Sequence, residues 1–372
     1  MKNLSTSWTE VSLGEICEFK YGKSLPELKR TGGNIPVFGS NGIIGQHHEA
    51  ITDGSTIVIG RKGSLGEVNF SNVSCWPIDT TYYIDKSATE TDLKWLAYQL
   101  SGLGLTKLNK AAAVPGLNRE DAYRQRLLLP PLEEQKRIAE VLDRAEELRS
   151  KRREAIAQLD TLTQAIFIEM FGDPVTNPKN IKTLPLAKVC KRITDGTHQP
   201  PKWSTSGYPF LFVSNIISGE ITFDTAKFIS SETHEELTRR CPIEVGDVLY
   251  STVGSYGVPV IVKTQRKFAF QRHIAHIKPD SNLIDSQFLC AMLASPSLKR
   301  QADRSARGVA QKTVNLEEIR KFIIFCPSIS LQQEFARRAE AVEKLKAAHR
   351  ASLSELDALF ASLQHRAFRG EL

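Results

Sequence analysis

Residues 130–172 read PPLEEQKRIAEVLDRAEELRSKRREAIAQLDTLTQAIFIEMFG, from Pro130 to Gly172. The stretch predicts one unbroken helix of about 40 residues, roughly 60 Å long at the α-helical rise. Pro130 and Pro131 suit its start, Glu133 and Glu134 suit the positive end of the helix dipole, and Gly172-Asp173-Pro174 stops it. Ile138, Ala145, Leu159 and Ile166 fall on a seven-residue repeat, and Val141, Leu148, Ala155 and Leu162 interleave with them. Two apolar sets of that period predict a seam laid against another long helix.

The partner helix is in the same chain. Adding 197 to the numbering carries Pro130 to Pro327, Gln135 to Gln332, Leu148 to Leu345, Leu159-Asp160 to Leu356-Asp357 and Phe171 to Phe368. The match needs no gap from about Ala113/Ala310 onward. The second seam reads Phe335, Val342, His349, Leu356 and Leu363, with Leu345 and Leu359 in its interleaved set. Arg152 and His349 place a basic residue at the same step of both seams, either a wet spot where the helices part or a polar contact that sets register. The chain therefore reads as one unit written twice. Antiparallel pairing of the helices, with a globule at either end and a pseudo-two-fold axis, is the expected arrangement.

A length of 372 residues suits two or three domains, each large enough for a core. With 41% apolar and 24% charged residues the composition is that of a folded soluble protein. No apolar run approaches ~18 residues, and Met1–Glu10 has neither a basic start nor an apolar stretch, which argues against membrane insertion or secretion. Cys17, Cys75, Cys190, Cys241, Cys290 and Cys326 are far apart with no C-x-x-C pair, so reduced and mostly buried thiols of a cytosolic protein are expected. A net charge of +7 leans toward a polyanionic partner.

Residues 1–128 predict a first globule of short strands between Gly- and Asn-rich turns: Ile35 to Gly42, Thr56 to Gly60, and Trp76 to Ile84. Asp92–Leu100 has helical spacing, and a basic turn from Lys107 to Lys110 follows. After the helix of 129–172, residues 173–180 carry two prolines and two asparagines, the composition of a linker. The second globule, extending to residue 326, replays the first: Gly254-Ser-Tyr-Gly stands opposite Gly63-Ser-Leu-Gly, and Gln287–Ala294 opposite the Asp92 helix. The second long helix occupies 327–372. The expected class is α+β, with mixed, twisted sheets and short helices in two globules set apart by two long helices in an antiparallel coiled coil.

In this order the motifs resemble one family, the specificity subunit of type I restriction–modification enzymes. Its marks are WTEVSLGEI (Trp8 to Ile16), GRKGSLG (Gly60 to Gly66), LLPPLEEQKRIAEVLD (Leu128 to Asp143), DGTHQPPK (Asp195 to Lys202), QRHIAHIKP (Gln271 to Pro279) and SLQHRAFRGEL (Ser362 to Leu372). The resemblance covers essentially the whole chain. It implies two target-recognition domains, each reading one half of an asymmetric bipartite site on double-stranded DNA. It also implies helices that set the spacer and dock two DNA adenine methyltransferase subunits, with restriction–translocase subunits joining that core in the cytoplasm. S-adenosylmethionine, ATP and Mg would be held by those partners, and the chain itself would bind no cofactor.

The residues offer no reaction of their own. There is no G-x-x-x-x-G-K-[ST] loop and no Asn/Asp-Pro-Pro-aromatic stretch. Glu134-Gln-Lys136 ends like a nuclease metal motif but reads as solvated charge in a first helical turn, and His47-His48, His273 and His276 lack the acidic or thiol company of a metal site. GRKGSLG suits close approach of backbone to a DNA phosphate and equally suits a plain tight turn. Candidate DNA contacts are polar and basic residues on the turns: Asn41, Arg61, Lys62, Ser64, Lys107 and Lys110 in the first globule. In the second they are Thr197, His198, Lys202, Ser255, Tyr256, Arg272, His273, Arg304, Arg307, Gln311 and Lys312. Arg forks to guanine or phosphate, whereas Lys neutralises phosphate. Asn118 and Asn315, matched across the repeat, suit turns or caps. Two other readings compete: a self-contained nuclease or methyltransferase, for which two duplicated units leave no room, and a coiled-coil scaffold that binds protein without reading DNA sequence.

Overall fold

A computed structural model describes residues 8–108, 116–308 and 311–372. The chain divides into two compact units, one of Met1–Glu154 with Arg350–Leu372 and one of Ala155–His349. The long helices are Leu132–Phe171 and Ile329–Ala367, and each gives one part of its length to either unit. Gly172 ends the first helix at φ +80°, and a Cβ there would come 2.7 Å from the Pro178 ring.

In the first unit Thr56–Gly60 is one of the two inner strands of an antiparallel sheet ordered Lys20–Tyr21, Thr81–Asp85, Thr56–Gly60, Val68–Ser71. Ile57, Val58 and Ile59 are all fully buried, which accounts for an apolar run without alternation. A second sheet sets Ile35–Gly39 antiparallel to Gly42–His47 and parallel to Trp76–Pro77. Asp92 caps the helix Leu93–Gly102 by accepting from the Trp95 amide, and Trp95 is buried in the core below.

The second unit repeats that plan. Its antiparallel sheet is ordered Cys190–Asp195, Ile274–Pro279, Val248–Ser251, Pro259–Ile261. A further sheet sets Tyr208–Leu211 antiparallel to Phe228–Ile229 and parallel to Ala269–Phe270. Small two-stranded ladders also correspond: Thr9–Ser12 with Arg126–Leu129, and Thr183–Pro185 with Ile323–Phe325.

The helices run antiparallel within each unit. In the first, Ile138 and Leu142 share a core with Leu363 and Ala367, while Arg149 Nε donates to Asp357 Oδ1 at 2.7 Å. In the second, Phe167 packs on Phe335 with centroids 5.6 Å apart, and Lys346 pairs with Asp160 at 2.8 Å. Ile138, Ala145, Leu159, Phe335 and Val342 are buried, with Val141, Ile166, Leu356 and Leu363 half-buried.

The interleaved set lies one residue later than the spacing suggests. Leu148, Leu162, Leu345 and Leu359 are 55, 40, 48 and 50% exposed, and the seam instead takes Leu142, Arg149, Ile156 and Thr163. In the other helix it takes Ala339, Lys346, Leu353, Phe360 and Ala367. Arg149 serves there because its stem is apolar and its guanidinium lies 4.4 Å over the Phe360 ring. Arg152 and His349 are half-buried amid this polar stretch.

Gln135 and Gln332 are buried at the start of the two helices and do the same work. Gln135 Oε1 accepts from the Asp92 amide at 2.8 Å and its Nε2 donates to Pro130 O at 2.9 Å. Gln332 Oε1 accepts from the Asp285 amide and its Nε2 donates to Pro327 O, both at 2.9 Å. Each glutamine thus ties its long helix to the capped start of a short one.

All six cysteines are free, but only Cys17 and Cys75 are buried; Cys190, Cys241, Cys290 and Cys326 are half-buried. Among the described residues no helix is long and apolar enough to cross a membrane.

Candidate nucleic-acid interface

The Gly-rich turn of the first unit is closed by its own backbone. The Gly60 amide donates to Glu67 O and the Gly66 amide to Gly60 O, both at 2.8 Å. Gly66 sits at φ +67° with Leu105 and Thr106 backbone 2.5 Å from where a Cβ would stand, so only glycine fits. Two further bonds fix the turn to distant segments: Arg61 N to Thr80 O at 2.9 Å, and Leu117 N to Arg61 O at 2.9 Å.

The second unit makes the same bonds with other residues. Ser251 N donates to Val258 O and Gly257 N to Ser251 O, each at 3.0 Å. Thr252 N donates to His273 O at 3.0 Å, and Val314 N to Thr252 O at 2.9 Å. Three sequence-distant segments are therefore sewn together identically in both units. The side chains they present differ: Arg61 and Lys62 give way to Thr252 and Val253, and Leu65 to Tyr256.

In the first unit this platform gathers Arg61, Lys62 and Ser64. Asn41 is exposed beside Ser40, whose hydroxyl donates to Thr80 O at 2.8 Å, and Lys107 is exposed just after the segment packed on Gly66. Lys110 lies outside the described residues. Lys62 is exposed, but Arg61 is half-buried. Its guanidinium lies 5.4 Å over Tyr21 and 5.9 Å over Tyr82, its Nη2 donates to Asp79 O at 2.6 Å, and its Nε is buried without a partner among the described residues. The Arg119 guanidinium also lies over Tyr21, at 5.7 Å. Tyr21 and Arg119 were not among the residues that the sequence singles out, because this stack joins positions far apart in the chain. Burial, and then the neighbouring Tyr21 hydroxyl, push the Tyr82 hydroxyl up to about 12, so it stays neutral beneath the Arg61 guanidinium.

In the second unit Thr197, Ser255, Tyr256, Arg272, His273, Arg307, Gln311 and Lys312 come together. The Arg272 amide donates to Thr197 O at 3.0 Å, the Gly254 amide to Lys312 O at 3.0 Å, and Arg307 and Thr313 exchange both backbone bonds at 2.9 and 2.8 Å. Tyr256 donates to Asp303 Oδ1 at 2.8 Å, while Lys299 Nζ lies 3.8 Å over its ring. Burial and then the charges of Arg272 and His198 hold His273 below the ordinary histidine range. His198 is exposed, with Nε2 2.9 Å from Asp195 Oδ2. Lys202 is on the loop leading to Trp203, and Arg304 is exposed in the last turn of Pro296–Ser305, both beyond this bonded set.

Asn118 caps the short helix after it by accepting from the Glu120 amide at 2.8 Å, whereas Asn315 occupies the matching position without a side-chain cap. In the Glu134–Lys136 stretch, Lys136 pairs with Glu133 at 2.7 Å and Arg137 with Glu134 at 2.6 Å, which spends those charges along the helix surface. His47 and His48 do have acidic company, in Glu49: ligand atoms of the three lie within 4.8 Å of one another. His47 Nδ1 is also engaged by Thr31.

A sequence model described as "Type I restriction modification DNA specificity domain" matches residues 6–158 and again 178–358. The EcoBI specificity subunit of Escherichia coli is 26% identical over 276 residues, 66% of this chain, and the chain spans only 58% of that relative's length. A type I specificity subunit of Mycoplasma pneumoniae, described as putative, is 22% identical over 340 residues, 87% of this chain and 85% of the relative. Among solved structures, the S subunit from M. genitalium superposes over 99% of this chain and 98% of its own, with a TM-score of 0.63 at 16% identity. A chain from a type I R-M system, solved to describe complex assembly and conformational transition, gives 0.58 over the whole of both chains at 19% identity. With its two matches falling on the two halves of the internal repeat, the chain belongs to the family of type I restriction modification DNA specificity domains.

Proposed function

We propose that this chain is the DNA-reading, non-catalytic subunit of a type I restriction–modification enzyme. Each globule (residues 1–128 and 173–326) reads one half of a bipartite, asymmetric site. The observation that carries the reading is the platform built twice from the same backbone bonds with unlike side chains. Identical frames suit two docking events of one geometry on a duplex, and unlike side chains suit two different sets of base edges. A net charge of +7 adds the phosphate attraction that any such docking needs.

The long helices set the spacer between the halves and dock two DNA adenine methyltransferase subunits. Leu148 and Leu345, like Leu162 and Leu359, are exposed leucines at the same step of the repeat, which suits two copies of one partner. Restriction–translocase subunits would join through that core, in the cytoplasm, with S-adenosylmethionine, ATP and Mg held by the partners.

The test is a genome-wide map of N6-methyladenine in cells with and without the gene. The expected result is loss of one split motif with two unlike halves around a fixed gap. Unchanged methylation in cells whose methyltransferase partner is active, with sequence-blind binding of the purified chain to random DNA pools, would overturn the reading in favour of a protein-binding scaffold.

A further inference from the structure

A cluster in the second unit plays no part in the platform. The helix Ser231–Thr238 ends in Arg239-Arg240-Cys241, and the half-buried Cys241 stands against the sheet formed by Cys190–Asp195, Ile274–Pro279 and Val248–Ser251. His276, in the second of these strands, is almost completely buried and directs both ring nitrogens at named partners. Its Nε2 lies 2.7 Å from Asp247 Oδ2, and its Nδ1 lies 3.4 Å from Cys241 Sγ. The Asp247 carboxylate is itself fixed, accepting from the Glu244 amide at 2.8 Å and from Lys278 Nζ at 3.1 Å.

That order of groups determines the tautomer. A carboxylate at Nε2 keeps the proton there, which leaves the Nδ1 lone pair facing the thiol. The thiol proton can pass to Nδ1, giving a thiolate beside an imidazolium that Asp247 stabilises. The sulfur also has space before it: Cys241 and His276 line a cavity of ≈ 380 Å³ that reaches Thr197.

We infer that Cys241 is a modification site, a thiolate activated by the His276–Asp247 pair and oxidised by small hydroperoxides. In the step, sulfur attacks one peroxide oxygen, so an S–O bond forms while the O–O bond breaks. Sulfur is oxidised by two electrons to the sulfenic acid and the peroxide is reduced. The other oxygen leaves with the proton from His276 Nδ1, as water when the oxidant is hydrogen peroxide.

The charges around the sulfur favour the ionised form. Burial raises the Cys241 thiol, but the His276 hydrogen bond and the charges of His276, Lys278 and Arg192 outweigh it, leaving the group below its ordinary value of 9.0. His276 is held above its ordinary range: burial works against the charged ring, and the bonds to Asp247 and Cys241 prevail. Arg239 and Arg240 add positive charge at the cavity wall, with Asp195 and Glu236 as the opposing carboxylates there and Glu244 paired with Lys278 at 2.9 Å. The other five thiols are all raised by burial, Cys17, Cys190 and Cys290 to about 12, so the chain carries its own controls.

The experiment is alkylation of the full native chain by iodoacetamide as a function of pH, read site by site by peptide mass spectrometry. Dimedone capture after a hydrogen peroxide pulse is read in parallel. Cys241 is expected to react fastest of the six thiols near neutral pH, with a midpoint shifted below 9.0, and to be the sulfenic acid that dimedone traps. In urea that advantage should vanish, and His276→Gln should raise the midpoint and slow both reactions, with Cys241→Ser removing them. Cys241 reacting natively at the rate and midpoint it shows in urea would overturn the inference, whether or not the His276 variant folds.

Discussion

Arg61 and Lys62 are neighbours in one turn, yet they are suited to different work. Arg61 is held by Tyr21, Tyr82 and Asp79, so its position would already be defined when DNA bound; Lys62 reaches solvent. A fixed guanidinium can discriminate between bases, whereas a mobile ammonium neutralises a phosphate. Lys62→Ala is therefore expected to weaken binding about equally on all sequences and to reduce the slope of log K against log salt by about one. Lys312→Ala should do the same through the other unit, and titrations at several salt concentrations check both. Arg61→Ala should relax one half-site alone, read as degeneracy in one half of the methylated motif; equal loss at both halves would mean misfolding. The turn cations were legible because Gly-Ser turns announce themselves. Tyr21 and Arg119 were not, since a cation–aromatic stack across the sheet leaves no local pattern. Gln135 and Gln332 were visible only as matched letters, because their role lies in the amides of Asp92 and Asp285.

At the scale of the helix, the seven-residue repeat is legible and its phase is not. From Ile138 the next seam residue can fall three or four positions on, and Val141 and Leu142 are both apolar. Tertiary packing settles the choice: Leu142 is fully buried and Leu148 is 55% exposed. Sequence also disguises the later steps, where Arg149 and Lys346 fill the seam with their stems while exposed leucines stand beside them. Leu142→Ala should cost ~2–5 kcal/mol, a clear fall in melting temperature. Leu148→Glu should leave the melt within about 0.5 kcal/mol. In a copurification assay, however, it should lower the amount of methyltransferase retained.

For the molecule as a whole, duplication was the most legible fact, since a gapless match at one offset survives wherever two segments pack in the same way. The sheet order and the sewn platform were not, because hydrogen bonds between distant segments have no period. On the proposed reading, the spacing of the two half-sites would belong to the pair of helices rather than to either one. A seven-residue insertion near Gln158, matched by another near Ala348, preserves the seam phase and lengthens the pair by ~10 Å, close to three base-pair steps. The methylated motif should then carry a gap about three base pairs longer. A gap of the original length in such a variant would remove the ruler role.

One unit is made of Met1–Glu154 with Arg350–Leu372, so the other is inserted within it. Synthesis therefore proceeds from the outside in and back out. The inserted unit can close as soon as its own residues emerge, but Ile138 and Leu142 stay without Leu363 and Ala367 until residues 363–367 have been made. At typical translation rates the wait for those roughly 225 residues is about 10–45 s. During that time the nascent chain presents an open apolar groove to chaperones, proteases and other chains, and the arrival of residues 350–367 decides whether the first globule is ever finished.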